Sequence, residues 1–285
     1  MVNDLGAEIH RLMGVGVAEA RPLGGGCVGE VCRARLTDGR EVVVKVDRRA
    51  APCLDTEGYM LDYLRAHSAL PVPEVLCASP ALLVMTLLPG ESRFNGAAQA
   101  HAAELLAALH GVRGPAHGLE RDTLIGGLHQ PNAPNPSWVA FFRNMRLLHM
   151  ADRALAEGRM PAGLHRRLCA FCERLDEFIR EPEHPSLLHG DVWTTNVLAL
   201  DGRITGFLDP AVYYGHPEVE LAFITLFNTF GAPFFEAYQA LRPLHPGFFE
   251  VRRDIYNFYP LLVHARLFGP GYLSGIEQTL RRLGF

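Results

Sequence analysis

The residues best suited to do chemistry lie in one short motif late in the chain. His189-Gly190-Asp191 is followed by Asn196, and Asp209 comes thirteen residues after that asparagine. Phosphoryl transfer from a nucleotide needs a carboxylate at the attacking hydroxyl and oxygen ligands that hold magnesium on the phosphates. We therefore predict that Asp191 is the catalytic carboxylate and that Asn196 and Asp209 bind Mg²⁺.

A lysine early in the chain fits the same chemistry. The chain has 27 basic residues, and Lys45 is its only lysine. Codon bias alone could leave a single lysine, but a lysine that binds phosphate as a compact ammonium also cannot be replaced by the planar guanidinium of arginine. Lys45 lies in a β-branched run that predicts a strand, and a predicted helix follows at 55–66. We expect Glu57 on that helix, rather than Asp55, to pair with Lys45.

A glycine-rich segment precedes the lysine by about twenty residues. Gly24, Gly25, Gly26 and Cys27 stand between two predicted strands, where backbone N–H groups can approach phosphate oxygens. Such a segment is more often a simple hairpin, so its assignment to nucleotide binding depends on Lys45. We also expect oxidation of Cys27 to inhibit ATP binding.

Two kinds of segment must position these groups. Residues 23–46 have the pattern of antiparallel strands, and the apolar run 81–88, closed by Pro89-Gly90, predicts a buried strand and a hinge. A short leading helix is expected within residues 1–20. Further helices are predicted at 97–110, 138–157, 161–179, 219–229, 234–241 and 248–268. The predicted fold is therefore α+β and bilobal, with a β-rich N-terminal lobe at 1–88 and a helical C-terminal lobe at 89–285.

Composition narrows the range of partners. The net charge is −4 and hydrophobic residues make up 48% of the chain, so there is no basic excess to hold nucleic acid or a membrane surface. Neither a signal peptide nor an apolar run of bilayer length is evident. These features predict a cytoplasmic protein with small-molecule partners, and they leave its oligomeric state open.

Two other routes to phosphate chemistry are disfavoured. A GxxxxGK[ST] sequence is absent from the chain, which argues against a P-loop nucleotidase. A kinase of protein substrates needs a long activation segment that ends in Ala-Pro-Glu, whereas a helical pattern resumes here by Val219. The acceptor is therefore expected to be small.

These residues resemble the fructosamine kinase (ketosamine-3-kinase) family, a branch of the aminoglycoside phosphotransferase-like group. The resemblance runs nearly end to end and is densest at 189–197 and 209–222. It also includes Gly24 to Cys27, Lys45, Glu57, Gln130, Asn132, Trp138, Phe141, Phe142 and Arg146. It implies a protein-kinase-like fold that uses ATP and Mg²⁺ to phosphorylate the sugar 3-hydroxyl of a fructosamine or ribulosamine. The unstable product would release the amine, which amounts to deglycation repair.

The resemblance also implies roles for further residues. Adenine would bond to the backbone at Thr86 and Leu88, with Met85 beside it. The residues implied for the acceptor are Trp193, Tyr214, His216, Glu218 and His264. Aromatic faces suit a sugar and a carboxylate suits a cationic amine. Glu220 is instead expected to bond the backbone of the catalytic loop, which is the motif at residues 189–196.

Two departures and two alternatives accompany this interpretation. Val192 stands where the family usually has Leu, and Thr194-Thr195 where Ser-Gly is common. One alternative is a kinase of the same fold that acts on an aminoglycoside, choline or homoserine, although such enzymes generally lack the string Tyr214-Gly215-His216. The other is a non-catalytic nucleotide-binding scaffold, which typically loses the lysine or an aspartate that this chain keeps.

Overall fold

The computed structural model describes residues 2–23 and 29–285, and its N-terminal part is built on one antiparallel sheet. The strand order is β1-β2-β3-β5-β4. The strands are β1 (Val17–Pro22), β2 (Glu30–Leu36), β3 (Glu41–Val46), β4 (Val75–Ala78) and β5 (Leu82–Thr86). Helix α1 (Val2–Met13) precedes the sheet, and helix α2 (Leu54–His67) connects β3 to β4.

The alternation of side chains along β3 decides where Lys45 points. Successive strand residues face opposite sides of a sheet. Val42 and Val44 are buried in the cluster that includes Ile9 of α1, whereas Val43 packs in the cluster under α2. Lys45 therefore shares the α2 side of the sheet, and the β-branched run both forms the central strand and aims the ammonium toward the helix.

The C-terminal part is mainly helical. Its helices are α3 (Gly96–Leu109), α4 (Trp138–Phe141), α5 (His149–Ala156), α6 (Ala162–Glu173), α7 (Pro217–Leu226), α8 (Ala232–Leu241), α9 (Arg253–Tyr256), α10 (Phe258–Phe268) and α11 (Leu273–Arg282). π-Helical turns at Phe142–Leu148 and Phe248–Arg252 lead into α5 and α9. The large apolar core of this part includes the fully buried Trp138, Phe142 and Tyr256.

Three two-stranded pairs lie among these helices and carry the loops of the site. They pair β6 (Thr123–Ile125) with β7 (Leu128–Gln130), β8 (Ser186–Leu188) with β11 (Tyr213–Gly215), and β9 (Val197–Leu200) with β10 (Arg203–Phe207). All three pairs are antiparallel. The short strands fix the ends of the segments between them, which hold the residues of the catalytic motif.

The connection after β5 and the segment before β4 make backbone contacts with the β9–β10 pair. The amides and carbonyls of Glu91 and Ala199 bond to each other at 2.9 Å, and the Phe207 N–H donates to the Pro71 carbonyl at 2.8 Å. Gly90 has φ +121°, and a Cβ there would lie 2.7 Å from the Ala199 oxygen. Glycine is therefore required where the connection after β5 passes β9.

The α+β prediction is confirmed, and most predicted helices form near their expected bounds. The elements that were not predicted include β1, part of which fell within the expected leading helix, the short strands β6, β7, β8 and β11, and α11. The lobe boundary at residue 88 stays a prediction. Within the described ranges, no helix is both long and apolar enough to cross a bilayer.

Candidate active site

Lys45 contacts two carboxylates that come from distant parts of the chain. Its Nζ lies 2.6 Å from Glu57 Oε1 on α2 and also bonds Asp209 Oδ1, which is 164 residues away in sequence. The Lys45 side chain is only 7% exposed, whereas that of Asp209 is 33% exposed. The predicted pairing of Lys45 with Glu57 is present, and Asp209 still reaches the open space of the cleft.

The catalytic carboxylate is held by the predicted asparagine. Asn196 Nδ2 donates to Asp191 Oδ2 at 3.0 Å and to the Asp191 carbonyl at 3.1 Å. The Leu208 N–H donates to the Asn196 carbonyl at 2.8 Å, which joins the catalytic loop to the segment before Asp209. Asp191, Asn196 and Asp209 therefore lie together as the spacing predicted.

Unusual backbone conformations make this approach possible. Gly190 has φ +87°, and a Cβ there would lie 2.1 Å from the Ala211 oxygen. Asp209 has φ +51°, a left-handed conformation that aspartate tolerates better than most residues. Since each position bends the chain sharply, the catalytic loop and the Asp209 segment can pack against each other without intervening side chains.

A buried hydrogen-bond chain supports the catalytic loop from behind. Glu220 Oε1 accepts from the Gly190 N–H at 2.6 Å, and Glu220 Oε2 lies 2.9 Å from His110 Nε2. His110 Nδ1 lies 2.7 Å from the Tyr238 hydroxyl. The structure places Glu220 where the sequence analysis expected it, whereas the parts of His110 and Tyr238 were not foreseen. Neither residue stands in a motif that would have revealed it.

Burial and neighbouring charges shift the pKa values of Asp191 and Lys45, and the two shifts suit different roles. Burial raises the pKa of Asp191 to about 8, and the nearby Asp209 carboxylate acts in the same direction. Burial works to lower the pKa of Lys45, but the carboxylates of Glu57 and Asp209 outweigh it and raise that pKa. The lysine therefore stays charged, while Asp191 is a stronger base than an ordinary aspartate.

One cavity is lined by the lysine, both of its carboxylate partners, the catalytic carboxylate and the asparagine. It is lined by Lys45, Cys53, Leu54, Glu57, Met60, Leu124, Gly126, Gly127, Asp191, Trp193, Thr195, Asn196, Asp209 and Pro210. The turn between β6 and β7 was not predicted to contribute. Gly126 and Gly127 both have positive φ, so this turn comes close to the catalytic loop without side chains. The Gly126-Gly127 pair was the signal in the sequence that could have revealed this turn.

The predicted adenine-binding residues lie at the end of β5 and after it. Met85 is 4% exposed and packs with Leu54 of the catalytic cavity. The Thr86 N–H donates to the Glu74 carbonyl at 2.9 Å, so this donor is already engaged. Leu88 packs against Gly206 of β10, where a Cβ would lie 2.4 Å from its Cδ1. The predicted Gly24, Gly25, Gly26 and Cys27 lie outside the described residues.

Three predicted acceptor residues are not brought to this cavity. Tyr214 is buried against Gly114, and its hydroxyl lies 3.3 Å from that of Tyr63. His216 caps α7, because its Nδ1 accepts from the Glu218 N–H at 3.1 Å. Both Glu218 oxygens bond the Arg252 guanidinium at 2.7 Å. Their polar atoms serve packing, a helix cap and an ion pair, so we leave them out of the acceptor site.

The other two predicted acceptor residues are connected through a third ring. Trp193 lines the cavity, and its ring centroid is 5.7 Å from that of Phe227. Phe227 in turn lies 4.9 Å from His264 on α10. Burial lowers the pKa of His264, and its Nδ1 is 2.8 Å from the Pro260 carbonyl. His264 is therefore one ring removed from Trp193 and presents a neutral aromatic face.

Solved structures share this architecture. A candidate fructosamine-3-kinase from Thermobifida fusca has a TM-score of 0.86 and 31% identity, with 99% of this chain and 98% of that chain covered. A thermostable mutant of aminoglycoside phosphotransferase APH(4)-Ia, in complex with ADP and hygromycin B, has a TM-score of 0.68 at 18% identity over 99% of both chains. The second likeness shows the fold alone. The class is that of kinases with the aminoglycoside phosphotransferase-like fold.

Sequence comparison narrows the class to one family. The family model described as fructosamine kinase matches residues 1–284. A probable ketoamine kinase of Synechocystis is 33% identical over 93% of this chain and 90% of its own length. The chloroplastic protein-ribulosamine 3-kinase of Arabidopsis thaliana is 30% identical over 92% of this chain and 82% of its own. The chain belongs to the fructosamine kinase family, and it is an ATP-dependent kinase of small molecules.

Proposed function

We propose that this enzyme transfers the terminal phosphoryl group of ATP to the 3-hydroxyl of a ketosamine, yielding ADP and the 3-phosphate. One observation carries the proposal: Lys45, Asp191, Asn196 and Asp209 line a single cavity in a chain of this family. The names of the relatives, ketoamine kinase and protein-ribulosamine 3-kinase, support the acceptor class. Decomposition of the product releases the amine, so the reaction serves deglycation.

The nucleotide side of the site follows from the lysine. Lys45, held extended by Glu57 at 2.6 Å, binds the α- and β-phosphates as a point charge. Because the Thr86 N–H is engaged with the Glu74 carbonyl, we place adenine at the carbonyl of Thr86 and the backbone of Leu88, beside Met85. The glycine segment 24–27 is proposed to cover the phosphates, which its place in the chain before β2 supports. In this arrangement the lobe boundary falls after residue 88.

The donor set fits magnesium. Asp209 offers a partly exposed carboxylate, and Asn196 Oδ1 accepts only a long bond of 3.5 Å from Thr195 Oγ1 while Nδ2 is engaged with Asp191. Both are hard oxygen donors, and Mg²⁺ is commonly bound by one or two protein side chains together with phosphate oxygens and water. Among residues 2–23 and 29–285 no group of three or more His, Cys, Asp or Glu forms a metal cluster. A bound Mg²⁺ would neutralise charge on the phosphates.

Asp191 is proposed to orient the acceptor hydroxyl and to take its proton as the oxygen attacks phosphorus. A base is most effective when its pKa lies near the working pH, and burial raises that of Asp191 to about 8. Its hydrogen bond from Asn196 fixes one carboxylate oxygen and leaves the other for the hydroxyl. The chain therefore supplies position and a proton acceptor, which is most of what phosphoryl transfer needs.

The acceptor is proposed to lie against the ring of Trp193, with His264 farther out. The rings between and beyond them form a continuous aromatic face, because His264 also lies 5.5 Å from Phe268, which is 55% exposed. Such a face suits the secondary ammonium of a ketosamine through cation–π attraction. We expect the sugar near Trp193 and the amine substituent toward Phe268.

A direct assay tests the proposal. The enzyme is incubated with ATP-Mg²⁺ and each of ribulosamine, erythrulosamine, fructosamine and aminoglycoside acceptors, while ADP release is followed and the product is located by phosphorus NMR. We expect turnover of ketosamines with phosphate on the 3-oxygen. Turnover of the aminoglycosides alone would contradict the acceptor class, and absence of ADP release with every acceptor would contradict the proposed reaction.

A further inference from the structure

A second cavity lies in the C-terminal part, away from the catalytic one. Its volume is about 360 Å³, within the range of about 300–1,000 Å³ typical of small-molecule sites. It is bounded by the segment 180–186, the start of α7, the end of α8 with the residues that follow, and Arg252. No residue lines both cavities, so this one is a separate site.

Positive charge in this cavity is only partly neutralised, because four arginines and three glutamates line it. Arg113 pairs with Glu183 at 3.6 Å. Glu218 is fully engaged by Arg252 in the bidentate pair described above. Glu181 accepts hydrogen bonds from the first backbone amides of α4. Arg180 and Arg242 also line the cavity, and neither forms an ion pair with any residue in the described ranges. Two unpaired guanidinium groups offer forked donors of the kind that bind phosphate oxygens.

A buried polar atom at the cavity points to the same kind of ligand. Ser186 is 1% exposed, and its Oγ has no hydrogen-bond partner in the part of the chain that the structure describes. Helix α7 also begins at this cavity, but its first amides are already engaged, because Glu218 and Val219 donate to His216. The Ser186 hydroxyl therefore keeps a donor that the protein itself does not use.

We propose that this cavity binds a small phosphorylated anion, such as a sugar phosphate. Its phosphate lies between Arg180 and Arg242 and accepts from Ser186, while the uncharged part of the ligand fills the remaining volume. Charge-assisted hydrogen bonds to two guanidinium groups provide most of the affinity. The catalytic cavity, which binds phosphates through Lys45, is not needed for this binding.

The cavity is also connected to the catalytic loop. Tyr238 lines it, and the Tyr238 hydroxyl begins the buried chain that runs through His110 and Glu220 to the Gly190 N–H. Gly190 directly precedes Asp191. A ligand that displaces the Tyr238 ring therefore alters the support of the catalytic loop, and its effect should fall on kcat rather than on the KM for ATP.

Calorimetric titration with ribose 5-phosphate tests the proposal, with ribose as the uncharged control. The titrated protein carries Lys45→Ala, which removes the phosphate-binding ammonium of the catalytic cavity. We expect this protein to bind the sugar phosphate and not ribose. Adding Arg242→Gln or Arg180→Gln should weaken binding about tenfold. The matched control is Arg281→Gln, which changes an exposed arginine on α11 and should leave binding unchanged.

Two results would overturn the site. In the first, Lys45→Ala abolishes binding, which would place the anion in the catalytic cavity. In the second, Arg242→Gln and Arg180→Gln bind as tightly as Arg281→Gln, which would show that these guanidinium groups do not contact the ligand. Failure of the ketosamine assay leaves this test intact, because binding is measured without turnover.

Discussion

Residues 189–209 and residues 214–220 are equally rich in polar and aromatic side chains, yet they serve different ends. The first stretch directs Asp191, Asn196 and Asp209 into the catalytic cavity. In the second, His216 caps a helix and Glu218 pairs with Arg252. Both stretches overlap the segments 189–197 and 209–222, where the resemblance read from the sequence is densest. A dense match to a family's motif therefore does not show whether a residue contacts the substrate or only supports the residues that contact it.

The physical difference lies in how the polar atoms are satisfied. Asp191 is half-buried, with one oxygen bonded to an amide, whereas both oxygens of the buried Glu218 are bonded to one guanidinium. A group whose hydrogen-bonding capacity is used internally has little left for a ligand. Substitutions in the first stretch should therefore reduce activity, and those in the second should reduce stability.

The largest expected effect is on turnover. Asp191→Asn keeps the size of the side chain but removes the proton acceptor, so kcat with a ketosamine should fall about 1,000-fold. The melting temperature should change little. Asp201→Asn, at an exposed turn with a similar left-handed backbone, is the control and should keep full activity. A kcat within tenfold of the parent would show that Asp191 is not the base.

The next effect is on stability. Glu218→Gln removes one charge of a buried ion pair and leaves Arg252 unpaired, so the free energy of unfolding should fall by about 3 kcal/mol. Urea denaturation measures this, and kcat of the folded protein should stay within a fewfold of the parent. Glu277→Gln breaks an exposed pair with Arg281 and should cost less than about 1 kcal/mol. A large loss of kcat without loss of stability would return Glu218 to the acceptor site.

The sole lysine gives the third test. Lys45→Arg preserves the charge, but a planar guanidinium cannot occupy the same position between Glu57 and Asp209. We expect kcat/KM for ATP to fall about 100-fold, or about 2.7 kcal/mol. Steady-state kinetics with varied ATP would detect this. Full activity would mean that the lysine survives by codon usage alone.

The smallest effect concerns pH. Burial lowers the pKa of His216 from 6.5 to about 3, with Arg252 acting in the same direction. In the unfolded chain the His216 imidazole is protonated below about pH 6.5, whereas in the folded protein it is protonated only below about pH 3. His216 therefore costs up to about 1.4 kcal/mol of stability for each pH unit of acidification within that window.

His216→Asn tests this slope, because asparagine retains the helix cap. Denaturation at pH 6.5 and at about pH 5 should show a shallower loss for the variant than for the parent. The exposed Gln278 on α11 is the control site, and Gln278→Asn, which removes no titratable group, should leave the slope unchanged. Equal slopes in His216→Asn and the parent would show that His216 takes up its proton equally in both states.

The local sequence pattern predicted those strands and helices whose residue types and periodicity are distinctive. The β-branched run of β3, the buried strand β5 and the helix that holds Glu57 all form where expected. Strand β1 was missed because Val17–Pro22 is short and half-exposed and follows a helical pattern directly. The turn at Gly126-Gly127 was missed as part of the site because β6 and β7 have only three residues each, too few for alternation to show.

The site was predictable where chemistry fixes both residue type and spacing. A motif that positions a base and metal ligands allows few alternatives, so Asp191, Asn196 and Asp209 could be named from the sequence. The residues that support the catalytic loop from outside the cavity follow no such rule of type and spacing. The contact of His110 with Glu220 joins residues 110 positions apart, and it depends on the packing of α3 against α8, which no local pattern encodes.

The bonds that tie the sheet and its helix to the C-terminal part are unevenly distributed. The Phe207 N–H on β10 donates to the Pro71 carbonyl before β4, and the Tyr59 and Tyr63 hydroxyls of α2 bond Glu120 and Tyr214. Among the hydrogen bonds of the described residues, none joins β1 or β2 to the C-terminal part. We therefore expect β1 and β2 to move more freely than β4 when a nucleotide enters or leaves.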